Sequence, residues 1–198
     1  MLTEQIPLTL SPQFRDHAVL QRERPLNIRG RTAPYRIVHG TIGTSTAAAR
    51  SDESGRFTLR FPPQPGSTLP QTLTVKEMRS GKTVTAENLL FGEVWLAGGQ
   101  SNMELPLREL PERLAEAQAL LKSTPKIRML NVGKCAETGG RDEITGSWSI
   151  PAPETIGNWS AVGFFFAAKL SAELNVPVGI ISSNWGATNL EAWSTRAS

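Results

Sequence analysis

Near Phe91-Gly92 the apolar residues change their period, and no other feature constrains the fold of this chain as much. Before that point Phe57, Leu59 and Phe61 alternate with Thr58 and Arg60, the two-residue period of a half-buried strand. Asp52-Glu53-Ser54-Gly55 supplies the turn in front of it. Leu73 and Val75 lie in a second alternating run, and Ser80-Gly81 turns the chain into a strand over 83–90, predicting a hairpin. Leu26-Asn27-Ile28 and Ile37-Val38 are further strands, and Pro62, Pro63, Pro65 and Pro70 read as one loop. Short strands at this spacing predict an antiparallel β-sandwich over residues 1–90.

After Phe91 strand and helix alternate. Val94-Trp95-Leu96-Ala97 reads as a buried strand. Pro111 suits a first helical position, with Leu110, Leu114, Ala117 and Leu121 on one face of the helix that follows. Ile127–Val132 is the next strand. Ser160 can cap a helix whose buried side is read as Val162, Phe165, Phe166, Leu170 and Leu174, ending at Asn175-Val176-Pro177. Residues 178–182 form a third strand. This order predicts a parallel sheet with helices on both faces, a three-layer α/β/α domain over 91–198. A doubly wound sheet usually has about five or six strands. With three in hand, the expectation is the front part of a longer protein, or one chain of a two-chain molecule.

Composition narrows the function. Hydrophobic residues make up 39% and charged residues 20% of 198 residues, a globular balance rather than a disordered one. The net charge is +3, but Lys and Arg are scattered, so nucleic acid is not an expected partner. The single cysteine, Cys135, allows no internal disulfide and has no metal-ligand spacing, and no His/Cys cluster is present, so no metal is expected. Gly139-Gly140 lacks a phosphate-loop context. No apolar stretch is long enough to span a bilayer, and no membrane partner is expected. Residues 1–10 show no signal peptide. The compartment is periplasmic or extracellular if a signal has been removed, and cytoplasmic otherwise.

The candidate chemistry centres on Gly99-Gln100-Ser101-Asn102-Met103. A serine at the end of a strand and the start of a helix stands on a sharp turn near unpaired amides, which is how a serine nucleophile is presented. Met103 in place of a second glycine sets it apart from the G-x-S-x-G elbow. The competing reading is a helix N-cap. A second candidate is 182–188, Ser-Ser-Asn-Trp-Gly-Ala-Thr, at the C-terminal edge of the sheet. There Gly186 could aim its N–H at a reacting oxygen, or the segment could be an ordinary turn. A serine nucleophile needs a base, and the chain has only His17 and His39, both in the strand-rich half. Arg15-Asp16-His17 could mimic an Asp–His pair; the favoured expectation puts the base outside this chain. All five tryptophans, Trp95, Trp148, Trp159, Trp185 and Trp193, follow Phe91. Their faces suit a sugar, although three or more are expected in the core.

Two blocks carry a family resemblance. Gly92-Glu93-Val94-Trp95-Leu96 with Gly99-Gln100-Ser101-Asn102-Met103-Glu104 resembles the first motif block of sialate O-acetylesterases, in the SGNH hydrolase superfamily. Val176-Pro177-Val178-Gly179-Ile180-Ile181 through Trp185-Gly186 and Glu191-Ala192-Trp193 resembles the second. Val19-Leu20-Gln21-Arg22, with Pro25 and Gly30, is similar to the start of the family's accessory β-domain.

The resemblance implies an SGNH-hydrolase domain, begun at residue 91, that removes O-acetyl groups from a sugar, sialic acid first. Ser101 matches the nucleophile, and the amides of Ser101 and Gly186 match two oxyanion donors. Gln100, Asn102 and Trp185 become candidate substrate contacts, and no cofactor is implied. The family's third donor, an asparagine, and its Asp-x-x-His have no counterpart here. They are expected on a C-terminal segment or second chain, without which this chain is expected to be inactive. Ala187 replaces a common glycine and Leu105 a common tryptophan. The rival readings are an acetylxylan esterase and a non-catalytic carbohydrate-binding protein.

Overall fold

The structure is a computed structural model that describes residues 6–122, 126–136 and 143–194. Gly139-Gly140 therefore lies outside the described residues. The chain divides into two compact units, residues 1–92 and 93–198.

The first unit carries β1 (Thr9–Leu10), β2 (Val19–Gln21), β3 (Leu26–Arg31), β4 (Ile37–Ile42), β5 (Ser45–Arg50), β6 (Arg56–Phe61), β7 (Ser67–Glu77) and the first part of β8 (Thr83–Gly99). β1, β3 and β6 form an antiparallel sheet. β8, β7, β4 and β5 follow one another antiparallel in a second sheet. β2 joins β8 in parallel, with Val19 opposite Leu90, so the second sheet is mixed and the purely antiparallel expectation is corrected. No hairpin turn fixes the direction of β2. The amide of His17 donates to Glu87 O at 2.9 Å and that of Leu90 to Ala18 O at 3.0 Å, which lays the segment along β8.

Alternation sets which side chains meet between these sheets. Ile28, Leu59, Val38, Leu73 and Val75 are all fully buried. A Cβ at Gly40 on β4 would stand 2.6 Å from Leu59 Cδ1 and 3.0 Å from Phe61 Cζ on β6, so the sheets close where that side chain is missing. The turn before β6 is tied by Asp52 Oδ1, which accepts from the amides of Ser54 and Arg56, both at 2.9 Å. Pro70 lies within β7 rather than in the preceding loop. It falls where the register with β8 shifts between Ser67 and Gln71, an irregularity that tolerates a residue without an N–H.

The second unit takes the rest of β8, then α1 (Ser101–Glu104), α2 (Pro111–Leu120), β9 (Ile127–Val132), β10 (Gly146–Ser149), α3 (Ala161–Leu174) and β11 (Val178–Asn184). Its strand order is β10-β9-β11-β8, with β11 parallel to both β9 and β8 and β10 antiparallel to β9. The strands read at 83–90 and at Val94–Ala97 are thus one strand, and β10 is an addition. The Val94–Ala97 run is not buried throughout: Trp95 is 47% and Leu96 70% exposed. Within this unit β8 pairs only with β11 among the described residues, so it is an edge strand.

Helix α3 begins at a Ser160 cap whose Oγ accepts from Gly163 N at 3.1 Å, and ends at Asn175 in the left-handed region, φ 52°. Its buried face is Ala161, Gly163, Phe164, Ala167, Ala168 and Ser171, whereas Val162, Phe166 and Leu174 are exposed. Of the face expected from the larger residues, Phe165 and Leu170 are partly buried against the core, and the expectation is corrected for Val162, Phe166 and Leu174. Small side chains let the helix approach β9, and a Cβ at Gly163 would lie 3.2 Å from Met129 Cε. The helix is apolar almost all round, so its period did not mark one side. Ala117 of α2, Phe164 and Ala168 of α3, and Ile127, Met129, Val178 and Ile180 of the sheet share one core. The described helices thus pack on one sheet face, and a layer on the other is not among the described residues.

Candidate active site

The parallel strands β8, β9 and β11 all run toward the same sheet edge, where Gly99, Val132 and Asn184 end them. That carboxyl edge is where open α/β sheets gather ligands. Two segments leave it side by side. The amide of Trp185 donates to Gly99 O at 3.0 Å, and Asn184 Nδ2 donates to Met103 O at 3.4 Å. Gly99 itself has φ 140°, a conformation that favours glycine. The loop beyond is braced in turn, with Thr188 Oγ1 donating to Trp185 O at 2.7 Å and Trp193 Nε1 to Thr188 Oγ1 at 2.8 Å.

Ser101 is the first residue of α1 and is exposed. Gln100 holds the cap position, so the N-cap reading of Ser101 does not apply. The Ser101 hydroxyl makes one long contact, donating to Gln100 Oε1 at 3.4 Å. It stands 3.5 Å from where a Cβ would sit on Gly186, so the two sequence-predicted segments meet at this hydroxyl. A cleft of about 600 Å³ opens here, lined among others by Ser101, Glu104, Leu105, Asn131, Lys134 and Gly186. Gln100 and Asn102 are exposed but are not among its lining residues. Trp185 is half-buried, and its ring lies 5.6 Å beneath Lys134 Nζ.

Charged residues also line the cleft, and two of them, Glu104 and Lys134, meet beside Gly186. Glu104 Oε2 accepts the hydrogen bond of the Gly186 amide, and Glu104 Oε1 pairs with Lys134 Nζ. The Lys134 ammonium, and then the Gly186 amide, hold the Glu104 carboxyl below its ordinary range, so it is an anion at neutral pH. Glu104 could have been found from its spacing, three residues beyond Ser101 and on the same face of a helical turn. Lys134 follows β9 at the sheet's carboxyl edge, the position that the topology marks for ligands.

Both histidines lie in the first unit. His17 Nδ1 lies 3.0 Å from Asn88 Nδ2, while Asp16 Oδ1 accepts from the Glu87 amide at 2.7 Å. The supposed Asp16–His17 mimic is therefore two separate loop contacts. His39 is exposed on β4. Of the tryptophans only Trp148 and Trp159 are buried, fewer than the three expected, because Trp95 lies on the edge strand against Phe166 and Trp193 is 39% exposed. Among the described residues no three His, Cys, Asp or Glu side chains gather into a metal-binding group. No described helix is long and apolar enough to cross a membrane.

Comparison with known proteins finds likenesses among carbohydrate esterases. The chain is 32% identical to a solved carbohydrate acetylesterase from Xanthomonas citri, with a TM-score of 0.89 over 96% of this chain and 43% of that one. It is 32% identical to the sialate O-acetylesterases of Mus musculus, over 58% of this chain and 22% of that protein, and of Homo sapiens, over 59% and 24%. No protein-family model matches. Over the residues matched, the chain is similar to sialate O-acetylesterases. It spans about a quarter of the length of the curated relatives it matches.

Proposed function

We propose that the protein containing this chain is a carbohydrate O-acetylesterase with Ser101 as its nucleophile. The observation that carries the reading is the exposed Ser101 hydroxyl beside Gly186 at the carboxyl edge of the parallel sheet. Ser101 Oγ would bond to the acetyl carbonyl carbon as its proton passes to an imidazole. The carbonyl electron pair moves onto oxygen, which the amides of Ser101 and Gly186 receive. Collapse expels the sugar oxygen, which takes the proton, and water repeats the sequence to release acetate and restore the hydroxyl. No cofactor enters these steps.

The second unit holds no histidine, and His17 is bonded to Asn88. We therefore assign the base, its orienting carboxylate and an asparagine donor to a C-terminal segment or second chain of the same protein, without which this chain is inactive. In this reading residues 1–90 form an accessory domain and 91–198 open an SGNH-type hydrolase domain. Sialic acid is the proposed sugar, in keeping with the names of the curated relatives. Acetate release from O-acetylsialic acid, compared with acetylated xylan, separates it from an acetylxylan esterase.

Ser101→Ala in the intact protein should abolish acetate release from an acetylated sugar or an aryl acetate. Normal turnover by that variant would rule Ser101 out.

A further inference from the structure

The amide that the reaction needs is already in use. Gly186 N–H donates to Glu104 Oε2, and a Cβ on Gly186 would stand 2.9 Å from that oxygen and 3.5 Å from Ser101 Oγ. An acyl oxyanion formed on Ser101 has to come within about 2.7–3.1 Å of its donors. It would compete with the Glu104 carboxylate for one hydrogen, and two anions cannot share that position.

The carboxylate is held from its other side. Glu104 Oε1 pairs with Lys134 Nζ, and the ammonium rests over the Trp185 ring at 5.6 Å. Trp185 is itself fixed through its amide to Gly99 O. Both charged side chains reach water, Glu104 being 32% and Lys134 45% exposed. The carboxylate can therefore swing to solvent by side-chain rotation without unfolding α1.

We propose that Glu104 is an internal occupant of the oxyanion position, anchored by Lys134, and that it must leave Gly186 N–H before Ser101 can be acylated. The inference rests on Ser101 as nucleophile and Gly186 as donor. Glu104 thus acts on the reaction through the availability of an amide, with no bond to the substrate.

The experiment uses the intact protein, reading the second-order rate of labelling by a fluorophosphonate together with hydrogen exchange at the Gly186 amide. Glu104→Ala empties the position, so labelling should quicken by about three- to tenfold and the amide should exchange faster. Glu104→Gln keeps an acceptor but loses the ion pair, and should fall between Glu104→Ala and wild type. Lys134→Met loosens the anchor and should shift both readouts the same way by less; it decides the matter if Glu104→Ala does not fold. Equal or slower labelling by a folded Glu104→Ala variant overturns the proposal and makes Glu104 a brace for the loop. A wild-type protein that takes no label, or Ser101→Ala that still takes it, defeats the nucleophile reading instead. In that case unchanged exchange at Gly186 in Glu104→Ala overturns the occupancy claim separately.

Discussion

Ser101 owes its exposure to its neighbours more than to itself. Gly99 adopts φ 140° and lets the chain turn sharply out of the sheet, and Gly186 leaves room for the hydroxyl and for a carboxylate. Gly99 could be picked out in the sequence because it follows an apolar run at a strand-to-helix junction, and Gly186 because it lies in the loop that leaves a second strand at the same sheet edge. Glu104 and Lys134 were harder to see, since their contact forms only when the loop after β9 folds beside α1. Their pairing is a tertiary event with no local period to announce it. Ala187 shows the opposite case. It sits at φ 62°, where a Cβ crowds the following carbonyl at roughly 1–2 kcal/mol. Ala187→Gly should relieve that strain, offset in part by the greater freedom of glycine in the unfolded chain. A net gain of roughly 0.5–1 kcal/mol in urea denaturation is expected. A loss of stability would show that the left-handed turn is not strained.

The elements divide by how their periods arise. β6 and α2 came out as read, because alternation in Arg56–Phe61 and the Pro111 start followed by a leucine–alanine face are unambiguous. α3 keeps the expected cap and end, but its buried side is turned from the expected one at Val162, Phe166 and Leu174, since Phe occupies three successive positions, 164 to 166, and size does not single out a face. Close packing on Met129 selected the small residues instead. β10 escaped notice because Gly146–Ser149 is four residues long and only Trp148 in it is apolar. In the first unit Gly40 is the position where one sheet yields to the other. Gly40→Val would drive a branched side chain into Leu59 and Phe61, and should cost about 1–3 kcal/mol in the unfolding of that unit. An unchanged denaturation midpoint would mean that the sheets part there at no cost.

For the molecule as a whole, the change from strands to alternating strands and helices was legible in the sequence. The change of period near residue 91 marked strand-rich and strand–helix halves, and the structure separates compact units at 92 and 93. The carboxyl edge of the parallel sheet collects the serine, the glycine amide and a cleft of about 600 Å³. The proposed mechanism passes the serine proton to an imidazole, and neither histidine of the chain belongs to the second unit. The exposed tryptophans also suit a binding protein, and the two readings part on one property, an activated hydroxyl. Mass spectrometry of the intact protein after reaction with a fluorophosphonate tests that property most directly. The phosphonyl adduct should fall on the peptide containing Ser101. An adduct on another serine, or an unlabelled protein that still releases acetate, would contradict it.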